Sequence, residues 1–216
     1  ELNITFAVKA SQEKRALNTI HDSFFLSEYK TIHLFIVGIG LIGSKLIEQL
    51  DVNLDHIKKS TGLDIMINGL SNSKKWIINE GGISFKNYRS ILDSDGADYD
   101  LNQFVDKMID MNMAHTIFVD NTANKSLPGF YSKILENNIA ISTPNKIAMS
   151  SELSLYKSLK SRALSNNTPL KYETNVAAGL PVISTLENLI NSGDELVKIE
   201  AVLSGSLSYI FNNFSS

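Results

Sequence analysis

The 216-residue sequence contains no cysteine, which excludes disulfides, thiolate metal sites and cysteine nucleophiles, and which is compatible with a reducing compartment. No apolar run is long enough to cross a bilayer, and residues 1–6 lack the basic start and long apolar core of a signal peptide. The net charge of −3 gives no electrostatic reason to expect nucleic acid or an anionic membrane as partner. We therefore expect a soluble, cytoplasmic protein.

A strand, a glycine turn and a helix follow one another near residue 40. Ile32–Val37 is an apolar run typical of a buried strand. Gly38 then permits a tight turn, Gly40 lets backbone approach a pyrophosphate, and Gly43 lets the helix pack close to the strand. The apolar face of that helix continues at Leu46, Ile47 and Leu50. This order favours a dinucleotide site over a glycine-rich turn without a ligand.

Strands and helices alternate beyond this turn, which predicts an α/β fold with a doubly wound parallel sheet of the Rossmann type. The predicted strands are Asp64–Leu70, Thr116–Asp120, Asn138–Thr143 and Lys171–Thr174, and the predicted helices are Leu127–Asn137 and Leu153–Leu164. Residues 79–100 are interpreted as a solvent-facing insertion. In such sheets ligands bind beyond the carboxyl ends of the strands.

Residues 1–30 do not belong to this unit. Asn3–Lys9 alternate as a strand does, and a helix follows that is capped by Ser11, with Lys14 where a capping-box glutamate would sit. Its apolar face is formed by Ala16, Leu17, Ile20 and Phe24, and residues 27–30 are a short linker.

The loop after the second strand has no Asp or Glu to bind the ribose 2′-hydroxyl of NAD. It offers Ser71, Ser73 and Lys74 instead, which suit the 2′-phosphate of NADP(H). The alternative is a solvated polar loop. We predict that NADP(H) is preferred and that NAD(H) is tolerated.

Four later motifs follow predicted strand ends, and each also has an explanation without a ligand. Asp120–Asn124 suits the nicotinamide-ribose side of a cleft or an ordinary Asx turn. Lys146, which follows Ser142–Asn145, is a candidate for cofactor or substrate contact or a surface lysine. Tyr172–Pro181 combines one carboxylate with exposed carbonyls, as a hard-cation site does, or is a simple turn. Leu203–Ile210 reads as a strand that ends in Ser-Gly-Ser and starts a helix, which offers amides to a carboxylate or only a helix cap.

The glycine turn and these motifs together resemble homoserine dehydrogenase in order and spacing, over residues 31–216. Residues 1–30 resemble the end of an ACT regulatory domain, as in the bifunctional aspartokinase–homoserine dehydrogenases. The resemblance implies a NAD(P)-binding domain at 31–172 and the start of an α+β catalytic and dimerisation domain at 173–216. It also implies interconversion of aspartate 4-semialdehyde and homoserine on the route to threonine and methionine.

The resemblance assigns roles residue by residue. It places the pyrophosphate at Gly38, Gly40, Leu41, Ile42 and Gly43, and the cofactor beside Thr122 and Lys146. It implies a sodium ion at Glu173, Val176, Ala178 and Leu180, and a substrate pocket that begins at Gly205 and Ser206. Many members of the family have threonine at position 206, and the serine here favours the fused type.

In the family, the main catalytic lysine, the acidic substrate-binding residues and most of the dimerisation sheet lie downstream of Ser216. We therefore expect these 216 residues to bind cofactor and to be inactive or nearly so, and the full enzyme to be a homo-oligomer. Two alternatives remain open: another NAD(P)-dependent oxidoreductase, and a non-catalytic dinucleotide-binding regulatory module.

Overall fold

The computed structural model describes residues 3–10, 13, 16–17, 20, 29–202 and 204–214. Its strands are β1 Lys30–Val37, β2 Leu63–Ser71, β3 Lys75–Ile83, β4 Ala97–Asp98, β5 Thr116–Asp120, β6 Ala140–Ser142 and β7 Leu170–Lys171. Its helices are α1 Leu41–Thr61, α2 Tyr88–Asp95, α3 Leu101–Met111, α4 Tyr131–Glu136, α5 Ile147–Ser150, α6 Leu153–Ser165, α7 Ile183–Asn191 and α8 Gly205–Phe214. Short 3₁₀ turns lie at Leu127–Phe130 and Glu173–Asn175.

The strands form one sheet in the order β4-β3-β2-β1-β5-β6-β7. The pairs from β2 through β7 in this order are parallel, whereas β3 and β4 run antiparallel to their neighbours at one edge. The chain goes from β1 to β2 on one side and later returns to β5 on the other side of β1. The α/β class is confirmed, and the sheet, which was predicted to be parallel, is parallel except at the β3–β4 edge. The switch in strand order lies between β1 and β5.

Both faces of the sheet are covered, because alternate residues of β1 enter two different cores. Leu34 and Ile36 join Ile47 of α1 and Leu92 of α2 in one apolar cluster. Phe35 and Val37 join the other cluster, which includes residues of α3, α4 and α6. A strand buried on both faces explains why β1 is almost continuously apolar.

The interpretation of residues 79–100 as a solvent-facing insertion is wrong. This part of the chain completes β3 and contains α2 and β4, and its side chains Ile83 and Leu92 are 4% and 0% exposed. Tyr88, Ile91 and Leu92 have the spacing of an amphipathic helix, and they pack in the same cluster as α1. The glycines at 81–82 and the acidic run at 93–95 masked this signal.

The predicted strand at Asn3–Lys9 is also wrong, since residues 3–9 have no regular structure and none of the described strands pairs with them. A strand without a partner leaves its backbone groups unpaired. Glu13, Ala16, Leu17 and Ile20 are helical as predicted. Ser11, Lys14, Phe24 and residues 27–28 lie outside the described residues, and the ACT-like origin of residues 1–30 stays a prediction.

Several predicted boundaries change near the end of the chain. The strand predicted at Lys171–Thr174 ends at Lys171, because the chain turns into the 3₁₀ segment at Glu173. The strand predicted before Ser204 is not formed, since residues 194–202 have no regular structure and no described strand lies beside them; Leu203 is outside the described residues. Helix α8 begins at Gly205, as expected. Among the described residues, no helix is long and apolar enough to span a membrane.

Candidate functional site

Three glycines shape the turn between β1 and α1. Gly38 has φ of +90°, and a Cβ there would lie 2.7 Å from Thr122 Cγ2 and 2.9 Å from the carbonyl oxygen of Asn121. A Cβ on Gly43 would overlap the carbonyl oxygen of Gly38. By contrast, a Cβ on Gly40 would meet nothing within 4 Å. The fold therefore requires glycine at 38 and 43, while Gly40 leaves open space at the start of the helix.

The amino end of α1 has the features of an anion site. Gly40 is the N-cap, no side chain caps this end, and the first turn carries no acidic residue. The first N–H groups of a helix have no partner within the helix, and they lie at the positive end of its dipole. Leu41 and Ile42 in this turn are 86% and 57% exposed. Backbone N–H groups are thus available to a phosphate at the carboxyl end of β1.

A buried carboxylate organises the ends of β5 and β6. Asp120 has no exposed surface. Its Oδ1 accepts hydrogen bonds from the N–H and hydroxyl of Thr122 at 2.8 and 2.7 Å, and its Oδ2 accepts from Tyr131 Oη at 2.6 Å and Asn145 Nδ2 at 3.0 Å. Thr143 Oγ1 donates to the main-chain oxygen of Asp120 at 3.0 Å. The Asx turn that the sequence predicted at Asp120 is present, and it also ties two strand ends together.

Burial and the neighbouring Asp120 charge raise the pKa of the Tyr131 hydroxyl well above its ordinary value. Tyr131 therefore stays protonated at neutral pH and acts as a hydrogen-bond donor to the carboxylate. Asn145 Nδ2 also donates to the carbonyl of Asn124 at 3.1 Å, and Asn145 Oδ1 accepts from the N–H of Ile147 at 3.1 Å. The loop that carries Lys146 is held by these contacts.

Two clefts open at the carboxyl edge of the sheet, on either side of the switch point. The β2-side cleft has a volume of ≈ 650 Å³ and is lined by Val37, Gly38, Ile39, Gly40, Asn72, Ser73, Lys74, Arg89, Asp93, Tyr99, Asn121, Thr122 and Asn124. The β6-side cleft has a volume of ≈ 410 Å³ and is lined by Ile42, Lys45, Leu46, Gln49, Val119, Asn121, Ser142, Thr143, Pro144, Lys171, Glu173 and Thr174. Both volumes are in the range of small-molecule sites.

The loop after β2 supplies only part of the side chains proposed for a 2′-phosphate. Ser73 and Lys74 line the β2-side cleft. Ser71 does not, because it is fully buried and its hydroxyl donates to the carbonyls of Asn72 and Lys75 at 3.2 and 3.4 Å. The side chain of Ser71, which was predicted to bind the cofactor, thus stabilises the loop instead. Lys75 Nζ donates to the carbonyl of Asp93 at 2.5 Å.

Arg89 is a cleft residue that sequence reasoning missed. It lies on α2, within the stretch interpreted as an insertion, and lines the β2-side cleft together with Lys74. Asp93 and Tyr99 of the same stretch line this cleft as well. The helical spacing of Tyr88, Ile91 and Leu92 was the signal that would have placed α2 on the sheet and Arg89 at its edge.

Lys146, Gly205 and Ser206 lie outside the linings of both clefts. Lys146 is exposed and precedes α5, where its carbonyl accepts from the N–H of Ser150 at 2.9 Å. Gly205 and Ser206 are exposed in the first turn of α8, beside Ser204, whose Oγ accepts from the N–H of Leu207 at 3.2 Å. The helix-cap explanation of this last motif describes its local structure.

The turn predicted to bind sodium uses its carboxylate in the fold. Glu173 Oε1 and Oε2 accept from the N–H groups of Ile183 and Ser184 at 2.8 and 2.9 Å, at the start of α7. Ala177 and Ala178 have φ of 55° and 53°, a conformation that alanine rarely adopts. No group of three or more His, Cys, Asp or Glu in the described part of the chain could hold a metal. An ion at Glu173, Val176, Ala178 and Leu180 would therefore depend on backbone carbonyls, which suit a hard cation.

Taken together, the open Gly40, the uncapped helix end and the clefts on both sides of the switch point define a dinucleotide-binding Rossmann domain. Comparison with known proteins agrees with this class. Residues 38–173 match the family model "Homoserine dehydrogenase, NAD binding domain", and residues 181–216 match "Homoserine dehydrogenase".

Known proteins and solved structures that resemble the chain include homoserine dehydrogenases, alone or fused to an aspartokinase. The chain is 36% identical over 215 residues to the chloroplastic bifunctional aspartokinase/homoserine dehydrogenase 2 of Arabidopsis thaliana, covering 99% of this chain and 23% of that protein. It is 32% identical to a homoserine dehydrogenase of Schizosaccharomyces pombe, covering 85% and 49%. A hyperthermophilic archaeal homoserine dehydrogenase in complex with NADPH shares the fold, with a TM-score of 0.61, 20% identity and coverage of 75% and 50%.

The chain belongs to the homoserine dehydrogenase family. Residues 38–173 are its NAD-binding domain, and bifunctional aspartokinase/homoserine dehydrogenases match the chain over nearly its whole length. Both matched models are of homoserine dehydrogenase, so the aspartokinase part of those relatives is not in this chain. The chain spans 23% of the length of the Arabidopsis relative.

Proposed function

We propose that this chain binds NADP(H) across the two clefts and serves, within a homoserine dehydrogenase, the interconversion of L-aspartate 4-semialdehyde and L-homoserine. The observation that carries the proposal is the open space at Gly40, beside an uncapped helix end. The glycines on either side, Gly38 and Gly43, have no room for a Cβ. The cofactor would supply hydride transfer. The residues of this chain bind it, orient it and shield it.

The proposed cofactor roles at the turn follow from the position of the residues. The N–H groups of Leu41, Ile42 and Gly43 hold the pyrophosphate above Gly40, since they are the free amides of the helix end. Thr122 lines the β2-side cleft next to the turn. Lys146 lies outside both cleft linings, so its proposed role as a cofactor-side or substrate-side lysine rests on the family resemblance. A lysine can donate a proton to the alkoxide formed when an aldehyde is reduced.

Substrate at Gly205 and Ser206, and a sodium ion at the 173–180 turn, remain proposals that rest on the family resemblance. So does the division into an ACT-like remnant, a cofactor domain at 31–172 and a catalytic domain from 173. Large apolar side chains between 196 and 214 are exposed, which supports their packing in a homo-oligomer of the full-length enzyme. Inactivity of these 216 residues alone and a cytoplasmic location stay predictions; the Arabidopsis relative is chloroplastic by name.

The direct test is titration of the chain with NADPH, with the fluorescence of Trp76 as the readout. This is the only tryptophan in the sequence. It is 4% exposed and pairs with Ser71, at the base of the loop that lines the β2-side cleft. Energy transfer from Trp76 to the reduced nicotinamide is the expected signal. A titration with no transfer and no heat of binding would overturn the proposal.

Cofactor preference gives a sharper prediction. Lys74 and Arg89 are the cations that line the β2-side cleft, and one charge-assisted hydrogen bond contributes about 1.5–3 kcal/mol. We expect Lys74→Ala or Arg89→Ala to weaken NADPH binding by about tenfold or more and to leave NADH binding unchanged. Calorimetric titration with each cofactor measures both constants.

Lys75→Ala is the matched control for this prediction. Its ammonium group donates to the carbonyl of Asp93, at the end of α2, and does not line the cleft. The variant should bind NADPH like the wild type. Equal weakening of NADPH and NADH by Lys74→Ala and Arg89→Ala would contradict a 2′-phosphate site.

A further inference from the structure

The side chain of Asn121 contains an unpaired hydrogen-bond donor. Its Nδ2 atom is buried and donates to none of the described residues. Buried polar atoms in native proteins nearly always have a partner, and one without a partner destabilises the fold. The backbone of Asn121 is well placed, since its N–H donates to the carbonyl of Val37 at 2.8 Å. The unpaired donor is therefore in the side chain, while the backbone of Asn121 is held in place by the sheet.

Asn121 also occupies a singular position in the site. It is the residue shared by the linings of the β2-side and β6-side clefts. It directly follows β5, which lies beside β1 at the switch point. A dinucleotide that fills both clefts must cross this junction, and the part that crosses is its oxygen-rich centre, the pyrophosphate and the second ribose.

We infer that Asn121 Nδ2 donates a hydrogen bond to an oxygen in the centre of the bound dinucleotide, at the nicotinamide-side phosphate of the pyrophosphate or at the nicotinamide-side ribose. The inference rests on the proposed function, because it requires a dinucleotide in both clefts. The nitrogen lies 3.3 Å from the place that a Cβ on Gly43 would take. This position places the nitrogen beside the first turn of α1, whose free N–H groups are proposed to hold the pyrophosphate.

Three ligands locate the contact. NADPH contains both halves of the dinucleotide, 2′-phospho-ADP-ribose lacks only the nicotinamide, and 2′,5′-ADP lacks everything beyond the first ribose and its phosphates. We expect Asn121→Ala to weaken binding of the first two ligands about tenfold and to leave 2′,5′-ADP unchanged. Asn53→Ala, an exposed residue further along α1, should change none of the three constants.

The stability of the ligand-free chain separates binding from a structural role. Since Asn121 Nδ2 has no partner among the described residues, Asn121→Ala should keep or raise the melting temperature without cofactor. Asn145→Ala is the contrasting variant, because the carboxamide of Asn145 is buried and hydrogen-bonded through both its nitrogen and its oxygen. That variant should lower the melting temperature.

The outcomes that would overturn the inference are distinct. Unchanged binding of NADPH by Asn121→Ala would show that the proposed contact does not exist. Equal weakening of all three ligands together with a lower melting temperature would show that Asn121 has a structural role. A loss confined to NADPH moves the contact to the nicotinamide ring and overturns the placement at the centre. Failure of the wild-type chain to bind any of the three overturns the proposed function itself, and the inference falls with it.

Discussion

Replacing Asp120 with alanine should cost about 3 kcal/mol or more of the free energy of unfolding. The carboxylate is fully buried and accepts from Thr122, Tyr131 and Asn145. Each donor left unpaired in the interior costs about 1–3 kcal/mol, and several lose their partner at once. Chemical denaturation of the chain, with the slope compared between variants, measures this loss.

Tyr131→Phe is the milder companion variant, and it keeps the test informative if Asp120→Ala fails to fold. It removes one donor, leaves the other partners of Asp120 in place and should cost about 1 kcal/mol. A loss below about 1 kcal/mol for Asp120→Ala would mean that the network relaxes or admits water. In that case the two strand ends would not depend on Asp120 for their positions.

The second large effect separates two glycines of the same turn. Gly40→Asp should fold as the wild type does, because a Cβ there meets open space. It should weaken NADPH binding at least about a hundredfold, since it places a carboxylate against the free amides that would hold the pyrophosphate. Gly43→Ala should instead destabilise the fold by about 1–3 kcal/mol, because its Cβ overlaps the main-chain oxygen of Gly38 and backbone cannot move aside cheaply.

Thermal denaturation and calorimetric titration of both variants provide the measurements. Gly129→Asp is the matched control for Gly40→Asp: a Cβ there also meets nothing within 4 Å, and the residue lines neither cleft. It should leave binding unchanged. Wild-type affinity in Gly40→Asp would show that the open space at the turn is not the phosphate site.

The sequence predicted an element correctly where the residues of that element alone determine its structure. The run Ile32–Val37 predicted β1, because a strand buried on both faces must be apolar throughout. The three glycines after it predicted the turn, since each meets a separate local demand. Thr116–Asp120 was placed at the correct bounds, because β5 is a short apolar run that ends in an Asx turn.

The predictions were wrong where the structure of a segment depends on a partner elsewhere in the chain. The alternation at Asn3–Lys9 is typical of a strand, but a strand needs a neighbour, and none of the described strands pairs there. The Gly-rich and acidic residues of 79–100 look solvated, yet β3 adds to the edge of the sheet and α2 covers a core. Composition alone does not reveal which side of an element a neighbour will cover.

The sequence by itself determined the family, the parallel part of the sheet and the glycine turn, because these depend on residue identity and on spacing along a single stretch. Tertiary structure decided which side chains reach the site. Only the packing of α2 against the sheet brings Arg89 into the cleft that Lys74 also lines, and only the pairing of β2 with β3 turns Ser71 inward. Likewise, the unpaired Nδ2 of Asn121 is visible only once β5 lies beside β1, since hydrogen-bond partners are set by contacts between residues far apart in sequence.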